Sequence, residues 1–339
     1  MPTKIEKLPS GNYRIRTSYV DETGKQRFKS FTAPTPKEAT YLALDFDIEN
    51  KRKKIPNNIS LKDAIENHIN SRKHILSPST IVGYNQLLRN AYSPILDSRI
   101  GNITKDSIQK TINEYAKNHS SKSVRNALAL LSATLKEVRP DLDLELTLPP
   151  NRKRNIIIPT TEEVKLILCE SKGTTLYIPI LFGAMLGLRR SEIFALTWQD
   201  INLKAQTITI NKAMVLNELK EYVIKNTKTT SSERTLSLPQ FIMRELPNAD
   251  KPLLELTIDQ FSNKYRNLCG KLGVPQSFHA LRHYNASVML QLNIPNKYAM
   301  ERMGHATDNM LKKVYQHTFK DEQDIVSERL DKFFEEQVK

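Results

Sequence analysis

Hydrophobic and polar residues alternate with a period of two between residues 11 and 31, a pattern typical of β-strands. Tyr13 and Ile15 fall on one face of the first strand, and Arg14 and Arg16 fall on the other. A polar, glycine-containing turn separates this strand from a second one. The pattern predicts a hairpin with one basic face.

The hairpin is followed by a helical period. Thr35 suits the N-cap of a helix and Pro36 its first position. Residues 51–58 are charged and lack this period, so we interpret them as a linker. The apolar face of the predicted helix consists of Ala39, Leu42, Ala43 and Phe46.

Residues 60–140 follow a helical period throughout. Four helices are expected, with N-caps or first residues at Ser60, Ser77, Thr104 and Ser121. Pro140 and the basic, proline-containing residues 148–154 indicate an extended linker at the end of this segment.

From residue 155 onward the pattern is again mainly helical, with an inserted group of β-branched or alternating strands. The helices are predicted at about 161–171, 175–186, 189–197, 257–272, 279–292, 296–303, 307–318 and 321–336, and the strands at 207–211, 214–215, 222–224 and 234–238. The fold class is therefore mainly α with small β-sheets. Three domains are expected, at 1–55, 59–148 and 155–339.

The composition narrows the class of protein. A net charge of +14 and a pI of about 9.5 favour a nucleic-acid partner. The chain has no long apolar run and no apolar signal core at its start, so we expect a cytoplasmic protein without a membrane span. Cys169 and Cys269 lie in apolar helical patterns and are expected to be buried free thiols.

Several residues have the right chemistry to act on a phosphodiester, but each has an ordinary explanation on its own. Gly187 suits a left-handed helix cap, which would leave Arg189 as a first-turn residue. Lys228 suits a solvated turn, and a histidine suits the end of a helix, where the dipole is negative. Together the set is harder to explain in this way: Arg189, Lys228, His279, Arg282, His305 and Tyr315.

The order of these residues resembles that of the tyrosine recombinases, and specifically of the integrases of phages and integrative conjugative elements. The resemblance spans essentially the whole chain. Ala280 stands where the family usually has an acid, and Met303 stands where it often has leucine. The motifs that carry it are Gly187-Leu188-Arg189-Arg190-Ser191-Glu192, His279-Ala280-Leu281-Arg282-His283 and Gly304-His305 followed by Tyr315.

The resemblance implies a complete reaction without metal or other cofactor. Tyr315 would attack the phosphodiester and form a 3′-phosphotyrosine. Arg189 and Arg282 would stabilise the charge on the non-bridging oxygens. In the remaining roles, Lys228 would protonate the leaving 5′-oxygen, His279 would accept the tyrosine proton, His305 would donate to phosphate, and Glu192 would orient Arg189 or His279.

The expected partner is double-stranded DNA at arm-type and core-type attachment sites. The resemblance assigns arm-type sites to 1–55, core-type sites to 59–148 and catalysis to 155–339. It also implies a homotetramer that exchanges the acidic helix 321–336, and it leaves open whether an excisionase and a DNA-bending protein are further partners. The basic residues expected to contact DNA are Arg14, Arg16, Arg27, Lys29, Lys73, Lys122, Arg125, Arg152, Lys153 and Arg154.

Two other functions fit parts of the pattern. A type IB topoisomerase uses similar chemistry. The separate basic sheet argues against this function, because it indicates a second DNA-binding site that relaxation does not need. A DNA-binding regulator with a decayed site would need no catalytic set, and the presence of all six residues argues against it.

Overall fold

The computed structural model describes residues 5–20, 25–53, 59–151, 157–226 and 233–304. The chain divides into two compact units, Met1–Arg152 and Lys153–Lys339. Helices predominate, and the strands form small antiparallel sheets, which confirms the predicted fold class.

The first unit begins with a three-stranded antiparallel sheet covered on one face by a helix. Its core contains Ile15, Ala33, Ala39 and Ala43, and of these Ile15, Ala39 and Ala43 lie on the predicted apolar faces. The sheet has the order β1-β2-β3, and the elements are β1 (Glu6–Lys7), β2 (Tyr13–Val20), β3 (Gln26–Ala33) and α1 (Pro36–Lys53).

Two predictions for this region are wrong. Helix α1 continues through Lys53, so residues 51–53 belong to the helix rather than to a linker. Leu42 was placed on the buried face but is 41% exposed, because the sheet is narrow and covers only the stripe through Ala39 and Ala43.

A helical bundle completes the first unit. It contains α2 (Leu61–Asn70), α3 (Pro78–Asn90), α4 (Lys105–Asn118) and α5 (Ser121–Val138). Ser60 and Thr104 cap their helices and Ser121 begins α5, as predicted, whereas the Ser77 side chain makes no capping bond.

Residues 141–149, here called the strap, include the first two residues of the predicted linker 148–154, and they are not free of the bundle. Alternate leucines of the strap pack against the core of the bundle. Gln109 on α4 holds Thr147 through two hydrogen bonds, of 3.0 Å to its carbonyl and 2.9 Å from its amide. Arg125 on α5 donates to the carbonyl of Pro149 at 2.9 Å. The strap therefore belongs to the bundle.

The second unit contains helices around a small sheet. Its elements are α6 (Thr161–Ser171), α7 (Tyr177–Met185), α8 (Arg190–Ile193), β4 (Ile201–Asn202), β5 (Thr207–Ile210), β6 (Lys212–Leu216), β7 (Tyr222–Asn226), β8 (Arg234–Ser237), α9 (Gln240–Glu245), α10 (Ile258–Lys271), α11 (Phe278–Gln291) and α12 (Asn296–Met303). One sheet has the order β4-β5-β8, and β6 and β7 form a separate hairpin.

Two helix predictions in this unit need correction. The helix expected at 189–197 is only Arg190–Ile193, because Phe194, Ala195 and Leu196 are all buried and the chain must turn to bury three consecutive side chains. Short i→i−3 bonds form there instead. Helix α9 was not predicted. The helices expected at 307–318 and 321–336 lie outside the described residues.

Two composition-based expectations can also be compared with the structure. Both cysteines are free, but Cys169 is exposed and only Cys269 is buried. Cys169 lies on the outer side of α6, which an apolar pattern alone did not distinguish from the core side. None of the helices in the described part of the chain could cross a lipid bilayer.

Candidate active site

The turn between α7 and α8 places Arg189. Gly187 has a φ of +66°, which confirms the predicted left-handed cap. A Cβ at this position would lie 2.7 Å from Met303 Sδ and 2.8 Å from Asn285 Oδ1. Asn285 also donates to the last carbonyls of α7, those of Ala184 and Met185, at 3.0 Å each. Only glycine fits this turn, and the turn directs the chain straight into Arg189.

Arg189 is the N-cap of α8 rather than a residue of its first turn. Its amide and its Nη1 donate to the two oxygens of Glu192, at 2.9 and 2.6 Å. Its Nη2 donates to the carbonyl of Gly304 at 2.9 Å. The Arg189 side chain keeps 32% of its surface exposed, whereas Glu192 keeps 3%. Glu192 thus fixes a guanidinium that a ligand can still reach.

Helix α11 supplies the second arginine. Arg282 is 2% exposed, and its two terminal nitrogens donate to the carbonyls of Gly187 and Met303. Burial, followed by the charge of Arg189, lowers the pKa of Arg282 to about 9, so the guanidinium stays charged at neutral pH. Arg282 therefore connects α11, the Gly187 turn and the end of α12.

His279 lies one turn before Arg282 on the same helix, and its side chain is solvent-accessible. The protein packed around its ring, followed by the charges of Arg282 and Arg189, lowers its pKa. The ring of His283 lies edge-on to it, with 4.8 Å between the centroids. Burial and the neighbouring His279 and Arg282 lower the pKa of His283 to about 4. Both imidazoles are therefore neutral at physiological pH, as a proton acceptor must be.

Glu192 has a second arginine partner that the sequence did not reveal. Nη2 and Nη1 of Arg234, at the start of β8, donate to the Glu192 carboxylate at 2.9 and 3.3 Å. Burial alone would raise the pKa of Glu192, but the hydrogen bond and charge of Arg234, together with the charge of Arg189, lower it to about 2. A signal was present, because Arg234 alternates with Leu236 on the inward face of the strand.

Three successive carbonyls at the end of α12 each accept a hydrogen bond from a different arginine. Arg302 O accepts from Arg234 Nε at 2.8 Å, Met303 O accepts from Arg282, and Gly304 O accepts from Arg189. Helix C-termini are partially negative, so three cations stabilise this one. Gly304 ends the helix with a φ of +61°, as its place in the sequence predicts.

The structure therefore brings Arg189, Glu192, His279 and Arg282 into one site and adds Arg234. The remaining predicted residues of the site, Lys228, His305 and Tyr315, lie outside the described residues, as do the DNA-contact candidates Arg152, Lys153 and Arg154.

The four basic residues of the N-terminal sheet that were expected to contact DNA do not all lie on one face. Arg14 and Arg16 lie on the open face, where Arg14 pairs with Glu6 at 2.7 Å and Arg16 stacks over the ring of Phe28. Arg27 and Lys29 lie on the opposite face, because they pair across the strands with residues that face α1. The sequence pattern alone does not give the strand register that separates Arg27 and Lys29 from Arg14 and Arg16.

In the bundle, Lys73 and Lys122 are exposed. Arg125 is half-buried, and it holds the carbonyls of Ser121 and Pro149. The predicted contact residues of the bundle are therefore two exposed lysines and one half-buried arginine.

The arrangement suits a phosphodiester. Two guanidiniums from different elements and a neutral, accessible imidazole meet beside a helix end, and guanidiniums bind phosphate oxygens in a planar, bidentate geometry. The three backbone carbonyls and one carboxylate that hold Arg189 and Arg282 fix their orientation before any ligand arrives.

Comparison with known proteins places this site in a family context. Residues 159–322 match the profile described as "Phage integrase family". A tyrosine recombinase XerC-like protein of Caldanaerobacter subterraneus is 26% identical, over 93% of this chain and 94% of that protein. The ICEBs1 integrase of Bacillus subtilis is 25% identical, over 96% of this chain and 99% of that protein.

Solved structures agree on the fold. The Tn1549 transposon integrase in complex with transposon right end DNA has a TM-score of 0.67 at 17% identity, over 80% of this chain and 100% of that one. A lambda integrase tetramer bound to a Holliday junction has a TM-score of 0.56 at 16% identity, over 91% of this chain and 94% of that one.

Proposed function

The chain is a tyrosine recombinase with a phage integrase family domain at residues 159–322, and we propose that it recombines DNA through a covalent bond to Tyr315. The observation that carries the proposal is the convergence of Arg189, Arg282 and His279 at the end of α12. That helix end directly precedes His305 in the chain.

Cleavage would proceed in one concerted displacement at phosphorus. The Tyr315 oxygen attacks, its proton passes to the neutral His279, and the 5′-oxygen leaves with a proton from Lys228. The phosphate stays on Tyr315 as a 3′-phosphotyrosine. A 5′-hydroxyl from another strand can then reverse the step, so rejoining needs no ATP.

The two arginines would stabilise the transition state. Negative charge builds on the non-bridging oxygens, and Arg189 and Arg282 are held so that their guanidiniums need not reorganise as it develops. His305 would add a hydrogen bond to the same phosphate. Glu192 keeps Arg189 in place without contacting DNA, because its carboxylate is buried.

Recognition of DNA is proposed to be divided among three domains, 1–55, 59–148 and 155–339. Support comes from the separate hydrophobic cores of the sheet, the bundle and the second unit. The open sheet face with Arg14 and Arg16 would bind arm-type sites, and Lys73 and Lys122 on the bundle would bind phosphates of core-type sites.

The active assembly is proposed to be a homotetramer on two duplexes. The helix predicted at 321–336 has two Lys/Arg against seven Asp/Glu, so DNA would repel it and a neighbouring protomer is the better partner. A chain lacking 321–339 is expected to bind DNA but to lose the synaptic complex on a native gel. An excisionase and a DNA-bending protein are candidate further partners.

Covalent trapping tests the proposed chemistry without knowledge of the attachment site. Full-length protein is incubated, in the presence of a chelator, with a pool of nicked duplexes that carry a randomised central segment. Protein recovered under denaturing conditions should carry DNA of a recurrent sequence, and Tyr315→Phe should recover none. Equal recovery with Tyr315→Phe would refute the proposal, and sequence-independent relaxation of supercoiled plasmid would favour a topoisomerase.

A further inference from the structure

A single buried carboxylate lies between two arginines that come from different parts of the second unit. Glu192 accepts 2.6 and 2.9 Å bonds from Arg189 on one side and a 2.9 Å bond from Arg234 on the other. The side chains of Glu192 and Arg234 are each 3% exposed. The Glu192–Arg234 ion pair is therefore shielded from bulk water.

Arg234 also binds a third element. Its Nε donates to the carbonyl of Arg302 at 2.8 Å, in the last turn of α12. One side chain on β8 thus holds both the carboxylate behind Arg189 and the helix end that accepts hydrogen bonds from Arg189 and Arg282. Its planar, five-donor group can make these contacts simultaneously, whereas a lysine ammonium cannot span them.

Stability alone does not account for this arginine. A buried ion pair is costly to desolvate, and a well-packed apolar pair of similar volume is often equally stable or more so. All three guanidinium nitrogens of Arg234 donate to the protein, Nη1 and Nη2 to Glu192 and Nε to the carbonyl of Arg302. These contacts lead to the atoms that orient Arg189.

We propose that Arg234 is a positioning residue for recombination, which holds Glu192 and the end of α12 so that Arg189 presents its guanidinium to the scissile phosphate. The proposal rests on the proposed function, in which Arg189 binds that phosphate. Without Arg234, Glu192 would keep only one partner and could rotate or take up a proton. Arg189 would then lose its fixed orientation while the protein retained its DNA-binding surfaces.

The test uses full-length protein and the duplexes recovered by covalent trapping. Arg234→Gln should lower the maximal rate of adduct formation roughly 100-fold, as expected for a small misplacement of a catalytic group. DNA affinity should equal that of Arg266→Gln, an exposed charge-loss control on α10. Arg234→Lys should recover part of the rate, because it restores the charge beside Glu192 but not the bond to Arg302.

Two further readouts separate positioning from folding. If Arg234 acts through Glu192, the double variant Arg234→Gln/Glu192→Gln should be no slower than the slower single variant. In NMR of DNA-free protein, the titration midpoint of Glu192 should also rise by roughly 1–3 pH units in Arg234→Gln, because Glu192 loses an opposite charge. If Arg234→Gln does not fold, Arg234→Lys replaces it in the comparison of single and double variants.

The proposal is overturned if the rate losses of Arg234→Gln and Glu192→Gln multiply in the double variant. It is also overturned if Arg234→Gln forms the adduct at the wild-type rate per folded molecule. Failure of the proposed function is distinguishable, because wild-type protein would then form no Tyr315-dependent adduct. In that case the titration of the Glu192 carboxyl carbon, followed by NMR without DNA, still tests the structural link. Arg234→Gln should move that titration to higher pH, and an unchanged titration would contradict it.

Discussion

Arg282 donates a hydrogen bond to the carbonyl of Gly187, 95 residues earlier in the chain, and so joins the helix that carries His279 to the turn that presents Arg189. The contact is buried and charge-assisted, a class of hydrogen bond stronger than a neutral one. His279 and Arg189, which the proposed reaction would need side by side, are thus fixed by the protein before any ligand binds.

The close fit at Gly187 predicts that Gly187→Ala is destabilising and inactivating. The left-handed backbone costs roughly 1–2 kcal/mol for a residue with a Cβ, and the clash with Met303 adds roughly 1–3 kcal/mol. Gly173→Ala is the matched control, because Gly173 has a φ of +75° but nothing within 4 Å of its Cβ position. Urea denaturation measures both, and equal losses would show that the fit at Gly187 does not matter.

Arg282→Lys is predicted to lose activity although the charge is retained. A lysine cannot donate to Gly187 and Met303 at once while binding phosphate, and removal of one preorganised donor lowers rates roughly 100- to 1000-fold. Adduct formation is the measurement, and Arg266→Lys on the surface of α10 is the control. Retention of more than a tenth of the wild-type rate would argue against a role at phosphorus.

The surroundings of His279 predict a lowered pKa for its ring. Packing around its ring, Arg282 and Arg189 all favour the neutral imidazole, so the titration midpoint should lie below the ordinary value of about 6.5. Because the folded-state pKa is depressed, stability from the neutral form is present above the ordinary pKa and is lost as pH falls through the folded value.

NMR of the His279 ring in DNA-free protein measures this midpoint directly. Arg189→Gln should raise it, because one of the nearby positive charges is removed. Arg190→Gln should leave it unchanged, since the Arg190 guanidinium binds Ser262 Oγ at 2.7 Å and does not contribute to the His279 shift. A midpoint above the ordinary value would contradict the assignment of His279 as a proton acceptor.

The lowered pKa of Glu192 predicts that the stability of the folded protein depends on pH. Its pKa falls from 4.5 to about 2 on folding, so ionised Glu192 stabilises the fold above pH 4.5 and loses this effect as pH falls towards 2. The shift corresponds to something on the order of 3 kcal/mol. Glu192→Gln should therefore unfold more easily near neutral pH. Its free energy of unfolding should also change less than that of wild type as the pH falls below 4.5. Parallel stability curves for wild type and Glu192→Gln would exclude this account.

Local pattern was sufficient to predict much of the fold and part of the site. The N-caps, the Gly187 and Gly304 turns and the approximate helices follow from local chemistry, and so they were predictable. The end of α8 was not, because burial of Phe194 through Leu196 depends on the surrounding core. The packing of the strap was not predictable either, because its alternating leucines gain a partner only when the helices of the bundle assemble.

The site shows the same division. Arg189, His279 and Arg282 were selected by motif, and the structure brings them together. Arg234 was overlooked because its partner, Glu192, lies 42 residues away in the chain, and only the fold pairs them. Strand register likewise separated Arg27 and Lys29 from the open face of the sheet.

The most direct measurement locates the covalent bond. Trapped complexes are digested with nuclease and trypsin, and the peptides are sequenced by mass spectrometry. The nucleotide should lie on Tyr315 in the tryptic peptide of residues 314–320. A nucleotide on any other residue, or DNA recovered without a covalent link, would contradict the central claim.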